Sequence, residues 1–88
     1  MACYEIILKP SVHKDLRSLP KSIVVRIVER IEQLGDDPFP RQTSRLSGTE
    51  QLYRIRVGEY RILYQVEGKA HAVLIARIGH RREVYRRR

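Results

Sequence analysis

A chain of 88 residues with 42% hydrophobic side chains allows one small domain with its own core, spanning residues 1–88 as a single unit. One cysteine, Cys3, rules out an internal disulfide framework and a multi-cysteine zinc site. Short apolar runs and the lack of a signal-peptide layout at the start point to a cytoplasmic protein with no membrane role. Eighteen Lys and Arg against ten Asp and Glu give a net charge of +8, and residues 41–88 carry all of it, with arginine at eleven of their twelve basic positions. Arginine's planar fork suits phosphate, so a polyanion is the expected class of partner.

In chain order, Tyr4 to Lys9 reads as a strand with Tyr4, Ile6 and Leu8 on one face. Pro10-Ser11 opens a short helix with apolar Val12, Leu16 and Leu19 at helical spacing and Ser11 as the expected N-cap. Pro20 ends it and suits the first turn of a second helix, Lys21 to Leu34, striped by Val24, Ile27, Val28, Ile31 and Leu34. Gly35 is the expected C-terminal cap, and Asp36 to Gly48 reads mainly as loop. Leu52 to Val57 alternates, with Tyr53, Ile55 and Val57 on one face and Arg54 and Arg56 on the other.

Gly58-Glu59 fits a two-residue hairpin, and Tyr60 to Val66 resumes the alternation with Arg61, Leu63 and Gln65 facing outward. Gly68-Lys69 marks another turn, His71 to Ile78 a more apolar strand, and Gly79 its end. The expected fold class is α+β, in the order β-α-α-β-β-β. A helical hairpin covers one face of a mainly antiparallel sheet, and the arginines occupy the other.

The hairpin makes a sharper point. With Gly58 and Glu59 as the loop, Arg56 lies directly opposite Arg61, and Arg54 shares their face about 7 Å along the strand. Like charges directly opposite one another destabilise a sheet, and no acidic residue falls between them. A cluster held together at that cost is the pattern expected where an anion completes a site.

The block Tyr53-Arg54-Ile55-Arg56-Val57-Gly58-Glu59-Tyr60-Arg61-Ile62-Leu63-Tyr64, followed by Ile78-Gly79-His80-Arg81-Arg82-Glu83-Val84-Tyr85, closely resembles the RelE/ParE superfamily of toxins from toxin–antitoxin systems. The likeness runs over nearly the whole chain, including the helical hairpin and Arg45-Leu46-Ser47-Gly48. It implies a RelE-like fold and an mRNA interferase of the RelE branch. Such a toxin docks in the decoding site of a translating ribosome. There it cuts mRNA by attack of a 2′-hydroxyl on the adjacent phosphate, with no metal or other cofactor.

Matched position by position, the resemblance implies a catalytic set of Arg54, Arg56, Arg61, Arg81 and Tyr85. Arg56 and Arg61 would stabilise the phosphorane-like state. Arg54 would position the backbone, Arg81 assist the leaving 5′-oxygen, and Tyr85 stack on a base. Well-known members carry lysine where this chain has Arg54 and Arg56, and arginine effectively cannot act as a base. His80 is the candidate general base, with its ordinary pKa near 6.5.

Arg45, Arg77, Arg82 and Arg86 are expected to hold ribosomal RNA phosphates. The resemblance also implies a small cognate antitoxin that neutralises the toxin and, as a DNA-binding protein, regulates their joint expression. Two other readings compete: a ParE-like inhibitor of DNA gyrase, and a non-catalytic RNA- or ribosome-binding module.

Overall fold

A computed structural model describes residues 3–41, 43–45 and 52–80. Their elements are β1 (Glu5–Leu8), α1 (Pro10–Arg17), α2 (Lys21–Asp36), β2 (Ser44–Arg45), β3 (Leu52–Val57), β4 (Tyr60–Glu67) and β5 (Ala72–His80). The strands form one sheet in the order β1-β5-β4-β3-β2, with β1 parallel to β5 and the other pairs antiparallel. Both helices cover one face. Val12 of α1 and Ile27, Ile31 and Leu34 of α2 meet Ile55, Ile62, Tyr64, Val73, Ile75 and Ile78 in a single buried cluster. The α+β class is as expected, with one strand added. Among these residues no helix is long and apolar enough to cross a membrane.

Local chemistry moves several boundaries. Lys9, not Ser11, is the N-cap of α1, because Pro10 already has the fixed φ and missing N–H that suit the first helical position. The buried strip of α2 takes in Ile23 instead of Val28, which is 37% exposed. Val28 stands one residue, about 100°, round from Ile27, and that rotation carries it to the solvent margin. Gly35 lies within α2, whose C-cap is Asp37. A Cβ at Gly35 would come 3.2 Å from the carbonyl oxygen of Tyr4, whose own N–H donates to the Gly35 carbonyl at 2.7 Å. The glycine therefore permits a close approach of strand to helix end.

Two contacts tie the layers together. β1 pairs with β5 only as far as Leu8 and Ile75, and among the described residues no strand pairs with that edge of β5 beyond this point. Asp15 of α1 supplies the acceptor there, its Oδ2 taking the Ile78 N–H at 3.0 Å. On the far side, the fully buried Tyr64 donates its hydroxyl proton to the Pro38 carbonyl at 2.8 Å. Thr43 Oγ1 lies 2.6 Å from the Tyr64 hydroxyl oxygen and, with the phenolic proton committed, donates to it. This clamp draws the chain after α2 onto the sheet, where Ser44 and Arg45 pair with β3 as a strand inside the segment expected to be loop.

Burial pushes the Tyr64 phenol above its ordinary value of 10, against a smaller opposite effect of the Thr43 hydrogen bond. The unfolded chain therefore releases this proton first as pH rises. The contribution to stability is complete below about pH 10 and declines above it. Tyr64→Phe is expected to cost about 1–3 kcal/mol at neutral pH, because two polar partners lose their bond. The variant should also lose less stability between neutral and strongly alkaline pH, as urea titrations at each pH would show.

Candidate functional site

Alternation along β3 and β4 sends the side chains of Ile55, Ile62 and Tyr64 into the core, so Arg54, Arg56 and Arg61 occupy the other face. Their arrangement follows from the turn. Gly58 takes a φ of 61°, which glycine adopts without strain, and the two-residue loop pairs Val57 with Tyr60, Arg56 with Arg61 and Ile55 with Ile62. The register expected from the sequence is the one observed. Arg56 Nε also donates to the Gly58 carbonyl at 2.9 Å, which anchors its guanidinium at the hairpin end.

These side chains enclose a pocket of about 170 Å³ lined by Ser44, Arg54, Arg56 and Arg61. Among the described residues no carboxylate lines it. Ser44 arrives from β2, paired with Arg54, and adds a hydroxyl to the cationic wall. Sequence periodicity missed it, since a two-residue strand is too short to show alternation and is placed by the Tyr64 clamp far along the chain. Gly79 is not the end of β5. It lies within β5 and pairs with Arg61.

The other anticipated residues divide between the faces. Arg77 pairs with Leu63, which pairs in turn with Arg54, so Arg77 extends the cationic face onto a third strand. Its Nε is buried with no hydrogen-bond partner among the described residues. Arg45 pairs with Tyr53 on the helix side of the sheet, away from the pocket. His80 likewise turns to the helix side, pairing with Tyr60, its ring set edge-on to that tyrosine at 5.7 Å. One residue beyond Gly79, the pleat carries its side chain to the opposite face from Arg61. Arg81, Arg82, Tyr85 and Arg86 lie outside the described residues, as do Leu46, Ser47 and Gly48.

Chemically the pocket is a fixed cluster of donors with positive charge. It can bind an anion with planar or tetrahedral oxygens and stabilise charge developing there. Among the described residues no three His, Cys, Asp or Glu side chains gather to ligate a metal ion. Arg56 also faces a like charge directly across the hairpin, an arrangement that disfavours strand pairing. Arg56→Glu should place opposite charges across the hairpin and raise the stability of the isolated protein by about 0.2–1 kcal/mol. The gain would be measured as a higher urea midpoint that shrinks with added salt.

Comparison with known proteins places this geometry in a known setting. The family described as ParE toxin of type II toxin–antitoxin system, parDE, matches residues 6–85. The putative toxin RelE1 of Methanocaldococcus jannaschii is 31% identical over 86 residues, covering 94% of this chain and 96% of that protein. The archaeal RelE–RelB complex of Pyrococcus horikoshii superposes with a TM-score of 0.80 at 35% identity, covering 92% of this chain and 97% of the other. The RelBE2 toxin–antitoxin complex of Mycobacterium tuberculosis gives 0.82 at 28% identity, covering 91% and 93%.

Proposed function

Because this chain belongs to the family of ParE toxins of type II toxin–antitoxin systems, with RelE toxins among its relatives, we propose that it blocks growth by cutting translated mRNA at the ribosomal decoding site. The observation that carries this reading is the pocket itself: three guanidinium groups from neighbouring strands, on one face, walled by Ser44. Such a cluster matches the charge that appears when RNA is cleaved through its own 2′-hydroxyl.

In that reaction the 2′-oxygen forms a bond to the adjacent phosphorus and the bond from phosphorus to the 5′-oxygen breaks. The products are a 2′,3′-cyclic phosphate and a 5′-hydroxyl end. The 2′-proton is lost and the leaving oxygen gains one. Between these events the non-bridging oxygens carry extra negative charge, which Arg56 and Arg61 stabilise from opposite strands. Arg54, beside Ser44, positions the backbone. Arg81 serves the leaving oxygen and Tyr85 stacks on a base, as the resemblance implies. Arg77, on the same face, holds a further RNA phosphate, and Arg45 does so from the helix side of the sheet; Arg82 and Arg86 are proposed to hold RNA phosphates as well.

The charge cluster, not a histidine base, sets the rate. With its ring on the helix side, His80 is out of line with the pocket. His80→Gln should therefore leave cleavage close to wild type, in place of the ~10²–10⁴-fold loss expected of a general base. A pH–rate profile of both proteins checks this, and an acid-side break present only in the wild type would restore the histidine to the mechanism.

A small cognate antitoxin neutralises the protein in the cytoplasm and represses their shared promoter. The solved relatives caught as toxin–antitoxin complexes support this partner. Primer extension on mRNA after brief expression tests the nuclease reading, with cuts expected inside translated codons. The ParE name of the matching family favours one other reading, inhibition of DNA gyrase. Loss of gyrase supercoiling with intact mRNA would establish that instead.

A further inference from the structure

A second cleft, of about 180 Å³, lies between α2 and the β3–β4 turn, lined by Arg26, Glu29, Arg30, Gln33, Arg56, Val57 and Gly58. Arg26 and Arg30 are one helical turn apart, which sets them side by side on one face of α2. The Arg26 guanidinium lies over the turn, where a Cβ on Gly58 would be 3.7 Å from Nη1 and 3.8 Å from Nη2. From the other side Arg56 Nε is bound to the Gly58 carbonyl. Two guanidinium groups from different elements thus converge on one backbone turn, with a third beside them and Glu29 the one carboxylate among the described lining residues. Among the described residues, the side chains of Arg26, Glu29 and Arg30 form no ion pair or hydrogen bond with one another or with any neighbour.

Arg56 lines both this cleft and the pocket on the opposite sheet face. With its Nε bound to the turn, this one side chain is shared by the two cavities. We propose that the cleft is a second phosphate subsite, which takes a backbone phosphate of the RNA strand whose neighbouring linkage occupies the pocket. The strand would cross the hairpin end with Arg56 as the shared contact. This inference rests on the proposed RNA substrate and adds the path of the strand.

An RNA phosphate fits better than an acidic peptide. Among the described residues the one apolar side chain in the lining is Val57, itself just 5% exposed, which offers an apolar or aromatic anchor of a protein partner little to pack against. Phosphate needs none, and the arginine fork meets its oxygens two at a time.

The test is the salt dependence of binding to a fluorescein-labelled single-stranded RNA oligonucleotide, for the wild type and for Arg26→Gln/Arg30→Gln. A control of equal charge, Lys14→Gln/Arg17→Gln, alters exposed cations on α1. Losing one phosphate contact should reduce the slope of log K against log salt by about 0.7 in the cleft variant and leave the control near wild type. The KM for ribosome-bound mRNA should rise along with it.

Equal slopes for all three proteins would overturn the subsite, and so would an equal drop in the control, since that reports distant charge alone. Unchanged RNA binding with lost affinity for the antitoxin would assign the cleft to the protein partner, again against the proposal. A lowered slope in the cleft variant, together with a wild-type protein that leaves translated mRNA intact, would uphold the subsite while removing the nuclease reading. Normal cleavage with an unchanged slope would do the reverse.

Discussion

Arg61→Ala is expected to lower the rate of mRNA cleavage at saturating ribosomes by about 10²–10³-fold, the loss that follows removal of one donor aimed at developing negative charge. Arg61 holds the most constrained position of the cluster. It stands on β4, the central strand, opposite Arg56 on one side and the bare backbone of Gly79 on the other. Arg56 sits at the hairpin end, and its Nε is already spent on the Gly58 carbonyl, so Arg56→Ala should cost less.

Arg61→Lys separates charge from geometry. It retains the cation and loses the planar fork, so an intermediate rate is expected if two phosphate oxygens are contacted together. Circular dichroism and thermal melting of the variants report the fold independently. Cleavage by Arg61→Ala within a few-fold of wild type would remove this side chain from the chemistry.

Ile62→Ala should produce the largest loss of stability, about 2–5 kcal/mol. Ile62 is fully buried and pairs with Ile55 on one side and Ile78 on the other, a row of three isoleucines across the middle of the sheet. A domain of this length has on the order of 4–13 kcal/mol in total, at roughly 0.05–0.15 kcal/mol per residue, so this one cavity consumes a large share. Urea unfolding at constant m-value measures it. The same strand carries Arg61 on its reverse face, which couples the two predictions. Loss of the core residue should also lower activity at temperatures where the variant begins to unfold, and a stabilising ligand should restore it. A cost below 1 kcal/mol would contradict the packing described.

The pair Arg56–Arg61 could be read before any coordinates because strand alternation has a period of two and the glycine turn leaves one register. By the same rule His80 falls on the wrong face for Arg61 once Gly79 is recognised as paired strand. Taking the glycine for the end of the strand concealed this. Glycine misled at Gly35 as well, where the want of a Cβ serves contact with Tyr4 in place of a helix cap. Neither glycine adopts a positive φ; among the described glycines only Gly58 does.

Local patterning by itself determined the helical hairpin, the alternating strands, the turn at Gly58 and the face on which Arg54, Arg56 and Arg61 gather. Each depends on residues close in the chain, where periodicity and backbone sterics leave few choices. Tertiary structure alone decided the rest. It set β1 beside β5, brought Ser44 to Arg54 through the Thr43–Tyr64–Pro38 clamp, and closed a cleft between Arg26 and Arg56. Ser44 and Arg54 are ten residues apart, and the other contacts join segments twenty or more residues apart. What selects them is shared burial and hydrogen-bond satisfaction in three dimensions, to which no local period corresponds.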